Sequence, residues 1–356
     1  MTLDTITAEA KKPRTLRFLS VAAIAALALT ACNGENDDAD NGDNDAETSE
    51  NGADEDEGGA EAAGGTGTIT IEDDHGTHEF NLDEVDSIVA TDNRSFRTLE
   101  EFGVELSAAP LGLARETSYG EADIPDLGSH REPDFEALIA AEPDLVINGQ
   151  RFGQFHEEIQ SYAPEAVVLQ FDEGVNNPDT FIEGLIEKTE ALGEIFGEQE
   201  AAQGLIDELN AEVERAQAAY DGEESVLGVL TTGGVINYAA PGTGRSVGPV
   251  FPALDLVPAL EDEAEDEAHG DDISVEAIAE SNPDWIIVMD RDAMNSDEPD
   301  YQAAAELIED SPALQEVTAV QEDQIIYAPN NMYLTEDIQA YIEFFGDIAD
   351  AFEAAQ

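Results

Sequence analysis

Apolar residues recur at helical spacing through the middle of the chain and in short unbroken runs on either side of it. Phe181, Leu185 and Leu192 mark one amphipathic helix that ends near Gly197. Ala202, Leu205, Ile206, Leu209, Val213 and Ala216 mark a second, at i+3 and i+4 spacing throughout, which predicts a rigid strut between two bodies. Short apolar runs at Ser87–Ala90, Ala166–Gln170, Val226–Leu230, Val235–Tyr238 and Gln324–Tyr327 read as buried strands set between helical patterns.

One pattern occurs twice. Phe135-Glu-Ala-Leu-Ile-Ala-Ala-Glu-Pro-Asp-Leu-Val-Ile147 matches Val275-Glu-Ala-Ile-Ala-Glu-Ser-Asn-Pro-Asp-Trp-Ile-Ile287 at an offset of 140 residues. Each copy reads as a helix, a Pro-Asp stop and a buried strand, which is half of an α/β unit. Two such copies predict two similar lobes.

The N-terminus has a different character. Lys11, Lys12, Arg14 and Arg17 precede the apolar run Phe18–Leu29, which reads as a secretory signal peptide too short for a membrane span. Leu29-Thr-Ala-Cys32 resembles the bacterial lipobox, and the resemblance implies cleavage before Cys32 and lipidation of its thiol. Residues 33–67 hold no basic or aromatic residue and read as a solvated, self-repelling tether. The expected partition is therefore 1–31 signal peptide, 32–67 acidic tether, 68–197 N-terminal lobe, 198–221 linking helix and 222–356 C-terminal lobe.

Composition narrows the function. The 356 residues include 83 acidic and 13 basic ones, for a formal net charge of −70. Nucleic-acid binding is disfavoured, because a phosphate backbone is held by clustered Lys and Arg. So is electrostatic docking on anionic lipid. Such a surface resembles that of a salt-adapted protein, and alkaline adaptation would look similar. One cysteine excludes a disulfide framework and a cysteine-based zinc site. No Gly-x-Ser-x-Gly elbow, Walker loop, dinucleotide fingerprint or His-Glu-x-x-His is present, so no enzyme is indicated.

After the leader only nine basic residues remain, and Lys188 is the one lysine among them. The repeat puts Arg151 and Arg291 four residues beyond its two strand ends, where open α/β sheets bind ligands. Arg245 sits in the glycine loop Ala240-Pro-Gly-Thr-Gly-Arg, and Arg94 follows the strand at 87–90. Together they predict a site for a bulky, delocalised anion, which the planar guanidinium suits. The histidines form no zinc pattern. His75 and His78 read as part of an N-terminal hairpin turn, His130 and His156 as surface residues, and His269 as an exposed loop residue. Tyr333 follows the last strand.

Read together, Gly128-Ser-His-Arg-Glu-Pro-Asp-Phe-Glu, Glu142-Pro-Asp-Leu-Val-Ile-Asn-Gly, Gly193-Glu-Ile-Phe-Gly, Pro241-Gly-Thr-Gly-Arg, His269-Gly and Asn282-Pro-Asp-Trp-Ile-Ile-Val-Met-Asp-Arg resemble the substrate-binding lipoproteins of iron-siderophore ABC transporters. The subgroup that binds ferric catecholates, petrobactin-like ligands included, is the most similar. The resemblance implies an α/β fold of two Rossmann-like lobes bridged by a single long helix. It implies a monomer without intrinsic cofactor that carries an Fe(III)-siderophore to a permease and its ATPase. Arg151, Arg245 and Arg291 match the cleft arginines, with Gln150 displacing the first by one residue. The resemblance also gives His269 and Tyr333 as Fe(III) ligands and Glu132 as the permease contact. Haem, cobalamin or a ferric hydroxamate are alternative cargoes on this fold; an envelope enzyme or adhesin is the alternative of a different class.

Overall fold

The computed structural model describes residues 67–260, 269–296, 298–299 and 301–356; Cys32 and the tether lie outside them. The chain enters through an antiparallel hairpin, β1 (Thr68–Asp73) and β2 (Gly76–Asn81), with His75 in its turn. There follow β3 (Ile88–Ala90), α1 (Phe96–Glu101) and a small hairpin of β4 (Gly128–Ser129) and β5 (Glu132–Pro133). Next come α2 (Phe135–Ala140), β6 (Leu145–Asn148), α3 (His156–Tyr162), β7 (Val167–Gln170), α4 (Glu173–Asn176) and α5 (Phe181–Phe196). Strands β3, β6 and β7 form a parallel sheet in that order.

Helix α6 (Gln199–Ala219) then carries the chain to the second sheet. That sheet is built from β8 (Ser225–Thr232), β9 (Val235–Tyr238), β10 (Val257–Pro258), β11 (Asp271–Asp272), β12 (Trp285–Asp290) and β13 (Ile325–Tyr327). Its order is β11-β9-β8-β12-β13, with β10 also paired to β8; β8, β12 and β13 run parallel. The helices between are α7 (Val250–Leu254), α8 (Val275–Ser281), α9 (Ala304–Glu309) and α10 (Thr318–Gln321), and the chain ends in α11 (Met332–Thr335) and α12 (Ile338–Ala354).

Strand alternation builds three apolar layers. In the first sheet Leu145, Ile147 and Leu169 face a central core, while Val146 and Val168 face an outer one. In the second sheet Val226, Leu230, Trp285 and Ile287 face the same central core, while Leu227, Val229, Ile286 and Val288 face outward. The central core is filled by α5, α6 and α12, so both sheets lean on one helical layer. Helix α12 packs along α6, and Arg215 on α6 reaches Glu212, Glu353 at 3.0 Å and Asp350.

The repeat is a repeat of structure. Asp134 and Ser274 cap α2 and α8 by accepting from the amides of Ala137 and Ala277. Glu142 and Asn282 end the two helices in the left-handed region, at φ 45° and 43°. Asp144 and Asp284 then each accept from the backbone amide at the start of the neighbouring strand, Ser87 at 2.9 Å and Ser225 at 2.7 Å. Thus the Pro-Asp pair both stops a helix and fixes the register of two strands.

Candidate functional site

The two strand ends bring their arginines to one place. Beyond β6, Gly149 is required: a Cβ there would sit 2.8 Å from the Asp92 carboxyl carbon. Gln150 follows with φ 42°, its amide donating to both oxygens of Asp172 at 3.0 and 2.9 Å. That bend presents Arg151. Beyond β12, the amide of Arg291 donates to the Thr231 carbonyl at 3.0 Å and its Nη1 to Thr232 Oγ1 at 3.3 Å. The loop after β9 folds so tightly that a Cβ on Gly244 would meet the Ala240 amide nitrogen at 2.6 Å, and this turn projects Arg245.

The three guanidiniums converge on Tyr333 of α11. Their central carbons lie 4.9 Å (Arg151), 4.2 Å (Arg245) and 4.9 Å (Arg291) from the centre of its ring. A phenol ring's negative face attracts such cations, each by roughly 0.5–2 kcal/mol according to exposure. The Tyr333 carbonyl also accepts from Nη2 of Arg151 at 2.8 Å and of Arg245 at 3.3 Å. Arg151 belongs to the first lobe and the other two to the second, so Tyr333 stands where the lobes meet.

Glu336, three residues on, makes this concentration of positive charge tenable. Its carboxylate accepts from Arg245 Nε at 3.0 Å and Nη2 at 2.6 Å, from Ser246 at 2.8 Å and from Gln150 Nε2 at 3.0 Å. Burial alone would raise this acid, but the charge of Arg245, then of Arg94, and the hydrogen bonds outweigh it and hold the carboxyl at about 2. Arg245 is raised in turn, Glu336 overcoming the burial that opposes it. Arg151, with burial and Arg245 both acting against its charge, is lowered. Arg94 stands with Arg245, Gln150 and Glu336 around a cleft of about 440 Å³ and donates to Asn176 at 2.8 Å.

Beneath the first-lobe arginines lies a buried ionic network. Lys188, placed by helical spacing among the apolar positions of α5, pairs with Asp92, and Asp92 also accepts from Ser95 at 2.6 Å. Asp172 accepts from Gln150 and stands 3.8 Å from Arg94. Burial and the nearby Asp92 raise its carboxyl against the pull of Lys188 and Arg94.

The structure therefore gathers Arg151, Arg245 and Arg291 around Tyr333, and it places Arg94 with Arg245 and Glu336 around the cleft beside them. His269 is exposed just before the edge strand β11. Glu132 is exposed on β5 in a depression that it shares with Asp126, Asp134 and Glu136. His130 and His156 are partly exposed, each with an enclosed Nδ1 that lacks a hydrogen-bond partner; His156 stacks on His75 with ring centres 3.5 Å apart. Glu336 was not legible as a site residue among 83 acids. Lys188 did carry a signal, a lysine on an apolar helix face.

Two α/β lobes joined by a long helix, with a cationic cluster at their strand ends, define the class of α/β solute-binding proteins. The chain belongs to the Periplasmic binding protein family, whose profile matches residues 88–332. It is 32% identical over 179 residues to the ferric-anguibactin-binding protein FatB of Vibrio anguillarum, a match spanning 50% of this chain and 54% of that one. It is 23% identical over 249 residues to the petrobactin-binding protein YclQ of Bacillus subtilis, spanning 67% of this chain and 73% of that one. The crystal structure of YclQ superimposes with a TM-score of 0.67 at 20% identity, covering 80% of this chain and 99% of the other.

Proposed function

We propose that this protein captures an anionic ferric siderophore, of the catecholate class, outside the membrane and hands it to an ABC permease without covalent chemistry. The observation that carries the reading is the convergence of Arg151, Arg245 and Arg291 on Tyr333. A compact trianion such as a ferric tris-catecholate suits a site of this charge and shape, because guanidiniums donate in forks and stack on aromatic faces. The names of the relatives FatB and YclQ support the reading. Tyr333 and His269 are the residues proposed to complete the coordination of a siderophore that leaves iron sites open; phenolate is a hard donor suited to Fe(III). Cys32 is the proposed lipid anchor and Glu132 the proposed permease contact. The test is a set of parallel titrations with a ferric catecholate, a ferric hydroxamate, haem and cobalamin. The proposal expects tight binding of the catecholate alone, and preference for any of the other three would refute the cargo assignment.

A further inference from the structure

The carboxyl ends of the three first-sheet strands are joined by side chains that all donate in one direction. Thr91, just past β3, donates to Asn148 at the end of β6 at 2.7 Å; Asn148 donates to Gln170 at the end of β7 at 2.9 Å; Gln170 donates to Asp172 at 3.1 Å. The relay ends on a carboxylate, an acceptor only, which sets the orientation of each carboxamide on the way. The β1–β2 hairpin fixes that end from outside. Asp74, in its turn, accepts from the amides of Asp172 at 2.6 Å and Glu173 at 3.1 Å, and Asp73 accepts from the amide of Gln170 at 2.9 Å.

The loop that carries Arg151 is wrapped around this carboxylate. Gln150, in the left-handed region at φ 42°, gives its amide to both Asp172 oxygens, at 3.0 and 2.9 Å. Glycines before and after it make room for the carboxylate. A Cβ on Gly149 would lie 3.2 Å from Oδ1 of Asp172, and one on Gly153 would lie 2.8 Å from Oδ2. The Gly149 carbonyl accepts from the amides of Phe152 and Gly153 at 2.9 and 3.1 Å, which closes the turn. Arg151 is the middle residue of this turn, and its side chain leaves it for Tyr333.

We infer that Asp172 is a positioning residue for anion capture: its carboxylate holds the turn that aims Arg151, and it acts through Arg151 rather than on the ligand. The inference rests on reading the arginine cluster as an anion site. Charge alone argues the other way, since a buried acid 3.8 Å from Arg94 opposes a bound anion. Arg94 does not need Asp172 for its own placement, because its Nη1 donates to Asn176 at 2.8 Å. The two effects of Asp172 on affinity therefore have opposite signs. Asp172→Asn separates them: it removes the charge and keeps the shape, but it turns an NH2 group against donors, the Gln150 amide or the Gln170 carboxamide.

The test is a double-mutant cycle with Arg151→Ala, read from the affinity for a ferric tris-catecholate. Asp172→Asn should bind at least about threefold more weakly than wild type, and no more weakly than Arg151→Ala, whose lost contact is worth about tenfold to a hundredfold. In the Arg151→Ala background the same substitution should not weaken binding further. Gly153→Ala presses a methyl group on Oδ2 of Asp172 while every charge stays, and its effect should depend on Arg151 in the same way. It carries the test should Asp172→Asn not fold. Binding by Asp172→Asn as tight as wild type, or tighter, would overturn the inference and leave the anion site standing. So would equal weakening with and without Arg151. Failure of the wild type to bind the ferric complex would overturn the anion-site reading itself, and this inference with it.

Discussion

Glu336 holds Arg245 by both Nε and Nη2, at 3.0 and 2.6 Å, from a backbone in the left-handed region at φ 45°. The same carboxylate accepts from Gln150 of the other lobe. One acid therefore fixes the orientation of a cleft arginine and ties the two lobes together at the point where the anion is proposed to sit. Breaking a buried pair by removing one partner costs about 3–5 kcal/mol, because the other charge stays buried. Glu336→Ala should lower the stability measured by urea unfolding by an amount of that order; a change below about 1 kcal/mol would contradict the assigned role.

The pH dependence follows from the direction of the shift. Glu336 is depressed from 4.5 to about 2 in the folded protein. Its contribution is complete above pH 4.5 and is lost as pH falls from 4.5 toward 2. Urea midpoints of wild type should fall across this window more steeply than those of Glu336→Gln, which has no proton to gain there. Parallel curves would assign acid sensitivity to other carboxylates.

Tyr333 offers a clean separation of ring from hydroxyl. Tyr333→Phe keeps the aromatic face against which the three guanidiniums lie. A hexadentate tris-catecholate fills all iron sites, so its binding should be nearly unchanged in this variant. A tetradentate bis-catecholate leaves two sites open, and its binding should weaken, with loss of a phenolate charge-transfer band in the visible spectrum. His269→Ala should show the same selectivity. Equal losses for both ligands would return the two residues to packing roles.

Much of this architecture was legible in the sequence for physical reasons. The copies at 135–147 and 275–287 show because an α/β unit needs an apolar helix face, a stop and a buried strand in fixed order. The structure adds why Asp144 and Asp284 recur: each holds the start of the adjacent strand. Arg151 and Arg291 were legible because basic residues are rare here and both follow a strand end. Glu336 was not, since its role depends on a left-handed turn after α11 and on partners 91 and 186 residues away in the chain.

Cys32→Ser tests the anchor proposal independently of the cleft. The substitution should move the protein from membranes to the soluble fraction, and the wild type should carry an acyl mass on its N-terminal peptide. Retention of the variant on membranes together with an unmodified wild-type peptide would remove the anchor from the account.

Arg291 gives the most direct test of whether the cleft arginines bind an anion. Arg245 is locked to a buried carboxylate, so its removal disturbs the fold, whereas the guanidinium of Arg291 has one long hydrogen bond, 3.3 Å to Thr232. Trp285 lies at the opposite end of β12, about 20 Å away at the usual strand rise, so binding is best read from the visible circular dichroism of the ligand itself. A charge-assisted contact is worth about 1.5–3 kcal/mol, so Arg291→Ala should bind a ferric tris-catecholate about tenfold to a hundredfold more weakly than wild type. Its stability should fall by no more than one cation–π contact on Tyr333 supplies, roughly 0.5–2 kcal/mol, so the variant stays folded. Wild-type affinity in the folded variant would contradict the anion site.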